Sequence, residues 1–142
     1  MSSPIDELQE WNRKMVEEFR AHGGKPGGPF AGSPLLLLHT TGARTGQERV
    51  NPLMYQEFVD GKVAVFATAN GAPTHPDWYF NLVVNPNVSA EIGTESRRYR
   101  AYTALGEERE DVWSRQKLRF PSFADFEEMT ARQIPVVILE PS

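Results

Sequence analysis

The chain has 142 residues, of which 39% are hydrophobic and 24% charged, with a formal net charge of −4, as in an ordinary folded domain. This balance argues against a basic nucleic-acid-binding surface, and the absence of cysteine excludes disulfides, thiolate metal sites and cysteine catalysis. The longest apolar run, residues 35–38, is too short to span a bilayer, and no secretory signal begins the chain, so we expect a cytoplasmic protein.

Residues 5–22 are predicted to form a helix, because apolar residues recur there every three or four positions and make one stripe. The stripe consists of Ile5, Leu8, Trp11, Met15 and Phe19. We expect it to pack on the rest of the chain or on a second subunit, while the alternative is a peripheral membrane contact. Glycine and proline dominate residues 23–34, which predicts a linker.

Strand patterns then follow at residues 34–41, 47–58, 62–68, 88–92, 97–105 and 134–139, with helices predicted at 76–84, 107–119 and 122–132. The first strand is almost continuously apolar, as a strand buried on both faces would be. Short strands with a few helices favour an α+β domain whose sheet closes into a barrel. We therefore divide the chain into a helix with its linker, 1–33, and a barrel domain, 34–142.

The end of the first strand carries a turn suited to binding an anion. Its sequence is Thr-Thr-Gly-Ala-Arg-Thr-Gly-Gln-Glu-Arg at residues 40–49. Glycines let backbone N–H groups point inward, and arginine presents a charged planar fork that suits phosphate. Arg44 and Arg49 flank the turn and could converge on one anion. The alternative is a polar turn with solvated arginines.

Three further segments could border a binding site. Pro52 within a strand indicates an edge or a bulge against which a flat ring could lie, although a plain edge strand is the alternative. The turn at residues 67–73 and the start of the next helix offer N–H groups to an anion, and His75 beside them is more typical of a loop than of a catalyst. Three phenylalanines spaced by three near the C-terminus predict a core cluster, with an aromatic wall for a planar substrate as the alternative.

Several common sites have no counterpart in the sequence. There is no glycine fingerprint of a Rossmann dinucleotide site, no phosphate-binding loop of nucleotide hydrolases and no nucleophile elbow. The histidines at positions 22, 39 and 75 are too scattered to indicate a zinc site.

Taken together, these segments resemble the deazaflavin-dependent nitroreductase family of actinobacteria over residues 34–141. The motifs that carry the resemblance are T-G-A-R-T-G-Q-E-R-V-N-P-L, G-A-P-x-H-P-D-W-Y-x-N-L-x-x-N-P and F-P-S-F-A-D-F followed by T-A-R-Q-I-P-V. The resemblance implies a split β-barrel related to FMN-binding, pyridoxamine-phosphate-oxidase-like proteins. It implies coenzyme F-420 as the cofactor, with FMN less favoured.

The same resemblance implies roles for individual residues. The phosphate and oligoglutamate tail would lie near Thr41, Arg44, Thr45 and Arg49. The deazaflavin ring and its ribityl chain would meet Asn51, Pro52, Leu53, Met54, Ala67, Thr68, Asn70 and Gly71, and the pocket would be closed by Trp78, Tyr79 and Asn81. The substrate pocket would comprise Tyr55, Phe120, Phe123 and Phe126. The cofactor would supply the hydride, so no catalytic nucleophile is expected.

The chain departs from the family's usual pattern in two respects. Ala69 stands where a lysine is common, and the three phenylalanines stand where tyrosines are common. Because phenylalanine donates no hydrogen bond, a quinone or another small apolar electrophile fits this chain better than a bicyclic nitroimidazole. A non-catalytic carrier or sensor of F-420, flavin or lipid is the alternative function, and the oligomeric state stays open.

Overall fold

The computed structural model describes residues 4–24 and 34–142, with side chains from Glu10 onward. The predicted linker therefore lies almost wholly outside the described residues. The helices are α1 (Pro4–Ala21), α2 (Asp77–Val84), α3 (Gly106–Arg119) and α4 (Ser122–Glu128). The strands are β1 (Leu35–Thr41), β2 (Glu48–Glu57), β3 (Val63–Phe66), β4 (Asn87–Ile92), β5 (Glu95–Thr103) and β6 (Val136–Pro141).

These strands close into an antiparallel barrel in the order β1-β2-β3-β6-β5-β4. Side chains alternate between the two faces of each strand, so every second residue points inward. The interior is filled mainly by Leu36, Leu38, Val63, Val65, Val88, Tyr99, Val137 and Leu139, with Trp78 and Leu82 of α2 packed among them. The predicted barrel and the presence of its six strands are confirmed, with strand ends that differ from the predicted ones by at most two residues.

Helices cover two parts of the outer surface. Helices α3 and α4 pack on the outside of β3 and β6, where Trp113 and Phe123 meet Phe66. Helix α1 covers β1 and β2, so residues 35 and 37 are buried beneath it while residues 36 and 38 are buried inside the barrel. The prediction of a first strand buried on both faces is confirmed.

The apolar stripe of α1 rests on the barrel through Met15 and Phe19, which are 8% and 1% exposed. An ion pair also fixes the helix, because Arg20 donates to both carboxylate oxygens of Glu91 in β4 at 3.1 and 2.8 Å. Packing on the same chain is therefore confirmed for Met15 and Phe19, while Trp11 is 43% exposed and the side chains of Ile5 and Leu8 lie outside the described ones. Among the described helices, none combines the length and hydropathy needed to cross a membrane.

Two predicted boundaries near the C-terminus are wrong. Helix α4 ends at Glu128 rather than near Arg132. Ser122 is its first residue, and no side-chain hydrogen bond caps the start of the helix. Beyond the helix, the Thr130 hydroxyl accepts a hydrogen bond from the Arg132 N–H at 3.3 Å, a local turn that competes with the helix. The last strand begins at Val136 instead of Ile134. The carbonyl of Ile134 accepts a hydrogen bond from Arg109 of α3.

Candidate functional site

The barrel has a gap beside the first half of β2. Strand β2 pairs with β3 only through residues 55–57, so residues 48–54 have no strand partner on that side within the described chain. The Tyr55 N–H donates to the Pro34 carbonyl, on the side of β2 that faces β1. Because the backbone N–H and C=O groups of successive strand residues point to alternate sides, those of Val50, Pro52 and Met54 point toward the gap. Pro52 has no N–H to leave unpaired there. The predicted edge position of this proline is confirmed.

The ring-lining residues predicted on β2 do not share one face. Leu53 packs with the interior of the barrel, whereas Met54 packs outside it against α1 and against the cluster under α3 and α4. By the same alternation Asn51 points inward and Pro52 outward. All four side chains are half-buried, but a flat ring could meet them together only along the strand edge.

The turn after β1 holds open N–H groups next to two exposed arginines. Gly42 and Gly46 close the turn, with bonds from Gly42 N to Gln47 O at 2.7 Å and from Gly46 N to Gly42 O at 2.9 Å. The N–H groups of Arg44 and Thr45 donate to no described residue. Arg44 and Arg49 are both exposed, and neither forms an ion pair among the side chains that the structure describes. Together these donors suit an anion.

Helix α2 supports that turn from inside the molecule. Asn81 is 8% exposed, accepts a hydrogen bond from the Ala43 N–H at 3.0 Å and donates to the Thr40 hydroxyl at 3.3 Å. Trp78 is buried in the barrel core, and the half-buried Tyr79 pairs its hydroxyl with that of Thr103 at 3.0 Å. These side chains therefore position the site from within.

A strained turn follows β3, beyond the last residue of β3 that pairs with β2. Residues Ala69–Gly71 form one short 3-10 turn in which Ala69 and Asn70 have φ of 46° and 54°. For residues other than glycine such a conformation costs about 1–3 kcal/mol, and it clusters at functional sites. The N–H groups of Thr68, Ala69 and Asn70 donate to no other described residue, so the turn presents consecutive donors of the kind that bind anions.

Arg132 is the site residue for which the sequence analysis predicted no role. Its guanidinium donates to the carbonyls of Ala67 at 3.1 Å, Thr68 at 2.7 Å and Ala72 at 2.9 Å. Burial lowers the pKa of this guanidinium. The only sequence signal was its place in the T-A-R-Q-I-P-V motif, because nothing local predicts contacts 60 to 65 residues away.

His75 joins this arrangement as an acceptor. Arg132 also donates to its Nδ1 at 2.9 Å, which assigns the imidazole proton to Nε2 in the neutral ring. Burial first, and then the charge of Arg132, lower the pKa of His75. The ring lies edge-on to Tyr79 at 5.1 Å between centroids. His75 thus links the strained turn to the start of α2.

The predicted substrate pocket is not gathered at one place. Phe123 is 5% exposed and packs edge-on against Phe66 at 5.5 Å between centroids, so it belongs to the core under α4. Phe120 and Phe126 are half-buried beside it in the outer cluster that Met54 also joins. Tyr55 instead packs with the barrel interior, and burial raises the pKa of its hydroxyl. The barrel wall therefore separates Tyr55 from the phenylalanines.

A cavity of ≈ 420 Å³ opens elsewhere on the barrel, at β1, β4 and β5. Its walls include His39, which lies 2.6 Å from Glu91 and 3.2 Å from Glu48. These three side chains form an ion network that, with Arg20, ties α1 to the barrel. Val88 and Tyr99 also line the cavity, but most of the other lining residues are polar. We therefore place the candidate site at the gap. No group of three potential metal ligands occurs among the described residues.

Comparison with known proteins identifies one family. The sequence profile of the family described as F420H(2)-dependent quinone reductase matches residues 11–141. The F420H(2)-dependent quinone reductase of Mycobacterium tuberculosis is 32% identical over 127 residues, covering 85% of this chain and 83% of that protein. A second protein of that organism, named provisionally for the same activity, is 38% identical over 109 residues, covering 76% of this chain and 90% of its own length.

Solved structures agree with this match. An F420-H2 dependent reductase superposes with a TM-score of 0.69 at 42% identity, covering 75% of this chain and 94% of that chain. A protein solved as a domain-swapped dimer has a TM-score of 0.70 at 36% identity, covering 97% and 100% of the two chains. A Listeria innocua protein provisionally named pyridoxamine 5'-phosphate oxidase, at 12% identity and a TM-score of 0.53, covers 93% of this chain and 94% of its own. This last likeness concerns the fold alone, and the split-barrel prediction is confirmed.

Proposed function

This chain belongs to the F420H(2)-dependent quinone reductase family, and we propose that it transfers a hydride from reduced coenzyme F-420 to a quinone. The family match over residues 11–141 is the observation that carries this proposal. The gap beside β2 supports it, because a flat ring needs an apolar edge and an anionic tail needs open donors. The turn after β1 leads directly into the unpaired half of β2, so we propose that both features belong to one site.

The tail of the cofactor is proposed to bind at the turn after β1. Its phosphate and carboxylates need cationic and N–H donors, and the open N–H groups of Arg44 and Thr45 with the side chains of Arg44 and Arg49 are of that kind. Thr41, half-buried at the end of β1, is proposed to contribute its hydroxyl. This donor set fits the group without any further residue.

The ring is proposed to lie between the open edge of β2 and the strained turn. Residues 51–54 contribute that edge, and the N–H groups of Thr68 and Asn70 would donate to the electron-rich side of the ring. Ala67 and Gly71 are buried and shape the turn. Trp78 packs in the same cluster as Ala67 and Tyr79 lies against His75, while Asn81 holds the turn after β1; we propose that these three residues of α2 close the pocket. The site as assigned contains no nucleophile, in keeping with binding and orientation as the chain's task.

When bound, the reduced deazaflavin supplies a hydride from carbon 5 of its ring. The chain's own residues are proposed to bind the tail and orient the ring. A quinone takes up one hydride and one proton to become a hydroquinone. The phenylalanines cannot donate that proton, so we propose that water supplies it.

The substrate is proposed to contact the half-buried rings of Phe120 and Phe126, with Met54 between them and the gap. These side chains form an apolar surface, which favours a quinone or another small apolar electrophile such as a nitro compound. Phe123 is excluded from this surface by its burial. Tyr55, on the inner side of β2, is proposed to line the inner end of the gap.

A titration comparing F-420, FMN and NADPH tests the cofactor assignment. We expect F-420 to bind at micromolar concentration or below, with quenched fluorescence, and the other two to bind more weakly. Oxidation of reduced F-420 by menadione, followed with and without protein, then tests the reaction. Binding without acceleration would favour a carrier or sensor, and absence of binding would refute the proposal.

The anion assignment is tested by replacing the two arginines of the turn. Arg44→Ala and Arg49→Ala should each weaken F-420 binding by about 1–3 kcal/mol if they form charge-assisted bonds. Arg115→Ala is the matched control, because Arg115 is 64% exposed on α3 and pairs only with Asp111. Equal dissociation constants for all variants would remove the arginines from the site.

The finer organisation of the chain is also a proposal. We keep the division into an N-terminal helix with linker, 1–33, and a cofactor-binding domain, 34–142, and we propose a cytoplasmic location. Burial of Met15 and Phe19 engages the apolar stripe of α1 on the barrel, which makes membrane contact the less favoured alternative. Co-sedimentation with anionic vesicles would reveal such contact.

A further inference from the structure

Arg132 holds both ends of the strained turn with a single guanidinium. Its Nη1 and Nη2 donate to Ala67 and Thr68 before the turn, and its Nε donates to Ala72 after it. Arginine suits this task because its donors have a fixed planar arrangement. The side chain therefore acts as a clamp across residues 67–72.

The turn has few other restraints. It contains the bonds from Gly71 N to Thr68 O at 2.9 Å and from Ala72 N to Ala69 O at 3.0 Å, and no side chain caps its start. Ala69 and Asn70 both have positive φ, a conformation that L-residues avoid. Such backbone persists only where the surroundings enforce it, and the three bonds from Arg132 provide that enforcement.

The clamp also decides which groups of the turn stay available. Arg132 binds the carbonyls of Ala67, Thr68 and Ala72, and the N–H groups of Thr68, Ala69 and Asn70 have no partner among the described residues. We propose that Arg132 is a positioning residue that holds this turn in the shape in which its N–H groups receive the F-420 ring. This inference rests on the proposed function.

Arg132→Gln tests the inference through the dissociation constant of oxidised F-420, measured by fluorescence without turnover. Loss of the preorganised turn should weaken binding about tenfold or more. Arg109→Gln is the matched control, because Arg109 is also buried and its Nη2 donates at 2.8 Å to the carbonyl of Ile134, in the same segment as Arg132, without bonding the turn itself. The control should change F-420 binding less than Arg132→Gln does, because it leaves the three bonds to residues 67–72 in place.

A second substitution separates positioning from a direct effect of the arginine charge. Glycine adopts positive φ without strain, so Ala69→Gly should let the turn keep its shape when the clamp is lost. The double variant Arg132→Gln/Ala69→Gly should therefore regain most of the lost affinity. No recovery would show that Arg132 acts otherwise than through the backbone of the turn, and would overturn the inference.

Amide hydrogen exchange gives a readout that does not depend on the cofactor. Exchange at Gly71 should accelerate in Arg132→Gln and slow again in the double variant, while Arg109→Gln leaves it near the wild-type rate. If the wild type binds F-420 and Arg132→Gln binds it equally well, only the inference is overturned. If the wild type does not bind F-420, the proposed function fails and the inference falls with it.

Discussion

Gly71 of the strained turn lies against Met129, which follows the last residue of α4. Its φ is +81°, and a Cβ at this position would lie 2.7 Å from both Cβ and Sδ of Met129. Gly46 offers a matched comparison, because its φ is +71° and a Cβ there would meet nothing within 4 Å. Replacing each glycine by alanine therefore imposes a similar backbone strain but a different steric conflict.

The expected losses follow from these two terms. Positive φ costs an L-residue about 1–2 kcal/mol, and the lower entropy of the unfolded alanine chain offsets about 0.4–1 kcal/mol of this. Gly46→Ala should therefore destabilise the protein by about 1 kcal/mol. Gly71→Ala adds overpacking of about 1–3 kcal/mol, which makes a total loss of about 2–4 kcal/mol.

Urea unfolding followed by circular dichroism measures the difference. The double variant Gly71→Ala/Met129→Ala should recover part of the loss, because it removes the Sδ contact and leaves the Cβ contact. Met129 is 68% exposed, so its own truncation should be mild. Equal losses for the two glycine variants would show that the turn and α4 do not meet as described.

Three further predictions concern stability. Phe123→Ala should cost about 3–5 kcal/mol in urea unfolding, as for a buried aromatic residue, and a loss below about 1 kcal/mol would contradict its place in the core. Burial, and then the hydrogen bond to Glu108, raise the pKa of Tyr102 to about 12. The contribution of Tyr102 to folding stability is therefore complete below the pKa of tyrosine in the unfolded chain and is lost as pH rises through about 12. Tyr102→Phe should flatten this loss of stability at alkaline pH. Bonds from Arg20 lower the pKa of Glu91, so its contribution to stability is present above the ordinary carboxyl pKa of 4.5 and is lost as pH falls through the lower pKa of the folded state. Glu91→Gln should make acid unfolding less steep, and an unchanged profile would deny the ion pair a role.

The strands, the helices and the glycine turn after β1 were predictable because their signals are local. Apolar residues that alternate or repeat every three or four positions report the face that a segment buries, and glycines mark where the backbone must turn. Pro52 is a good example, since a missing N–H restricts a strand residue to an unpaired edge whatever the rest of the fold does.

Several residues of the candidate site were not predictable in the same way. The sequence presents residues 51–54 as one motif, yet the closed sheet sends their side chains to opposite faces. Phe120, Phe123 and Phe126 have equal spacing, but only Phe123 is enclosed by Phe66 and α3. Sequence spacing predicts which side of an element a residue occupies and does not predict what will cover that side.

The sequence by itself determined the order of the elements, the exclusion of other cofactor sites and the residue types available to an anion, since these depend on composition and near-neighbour spacing. Only the tertiary structure decided that β2 parts from β3 after three paired residues and that Arg132 reaches back to Ala67, Thr68 and Ala72. Those bonds join residues 60 or more positions apart. They exist because closure of the barrel brings the start of β6 beside the end of β3, and no local pattern in the chain encodes that approach.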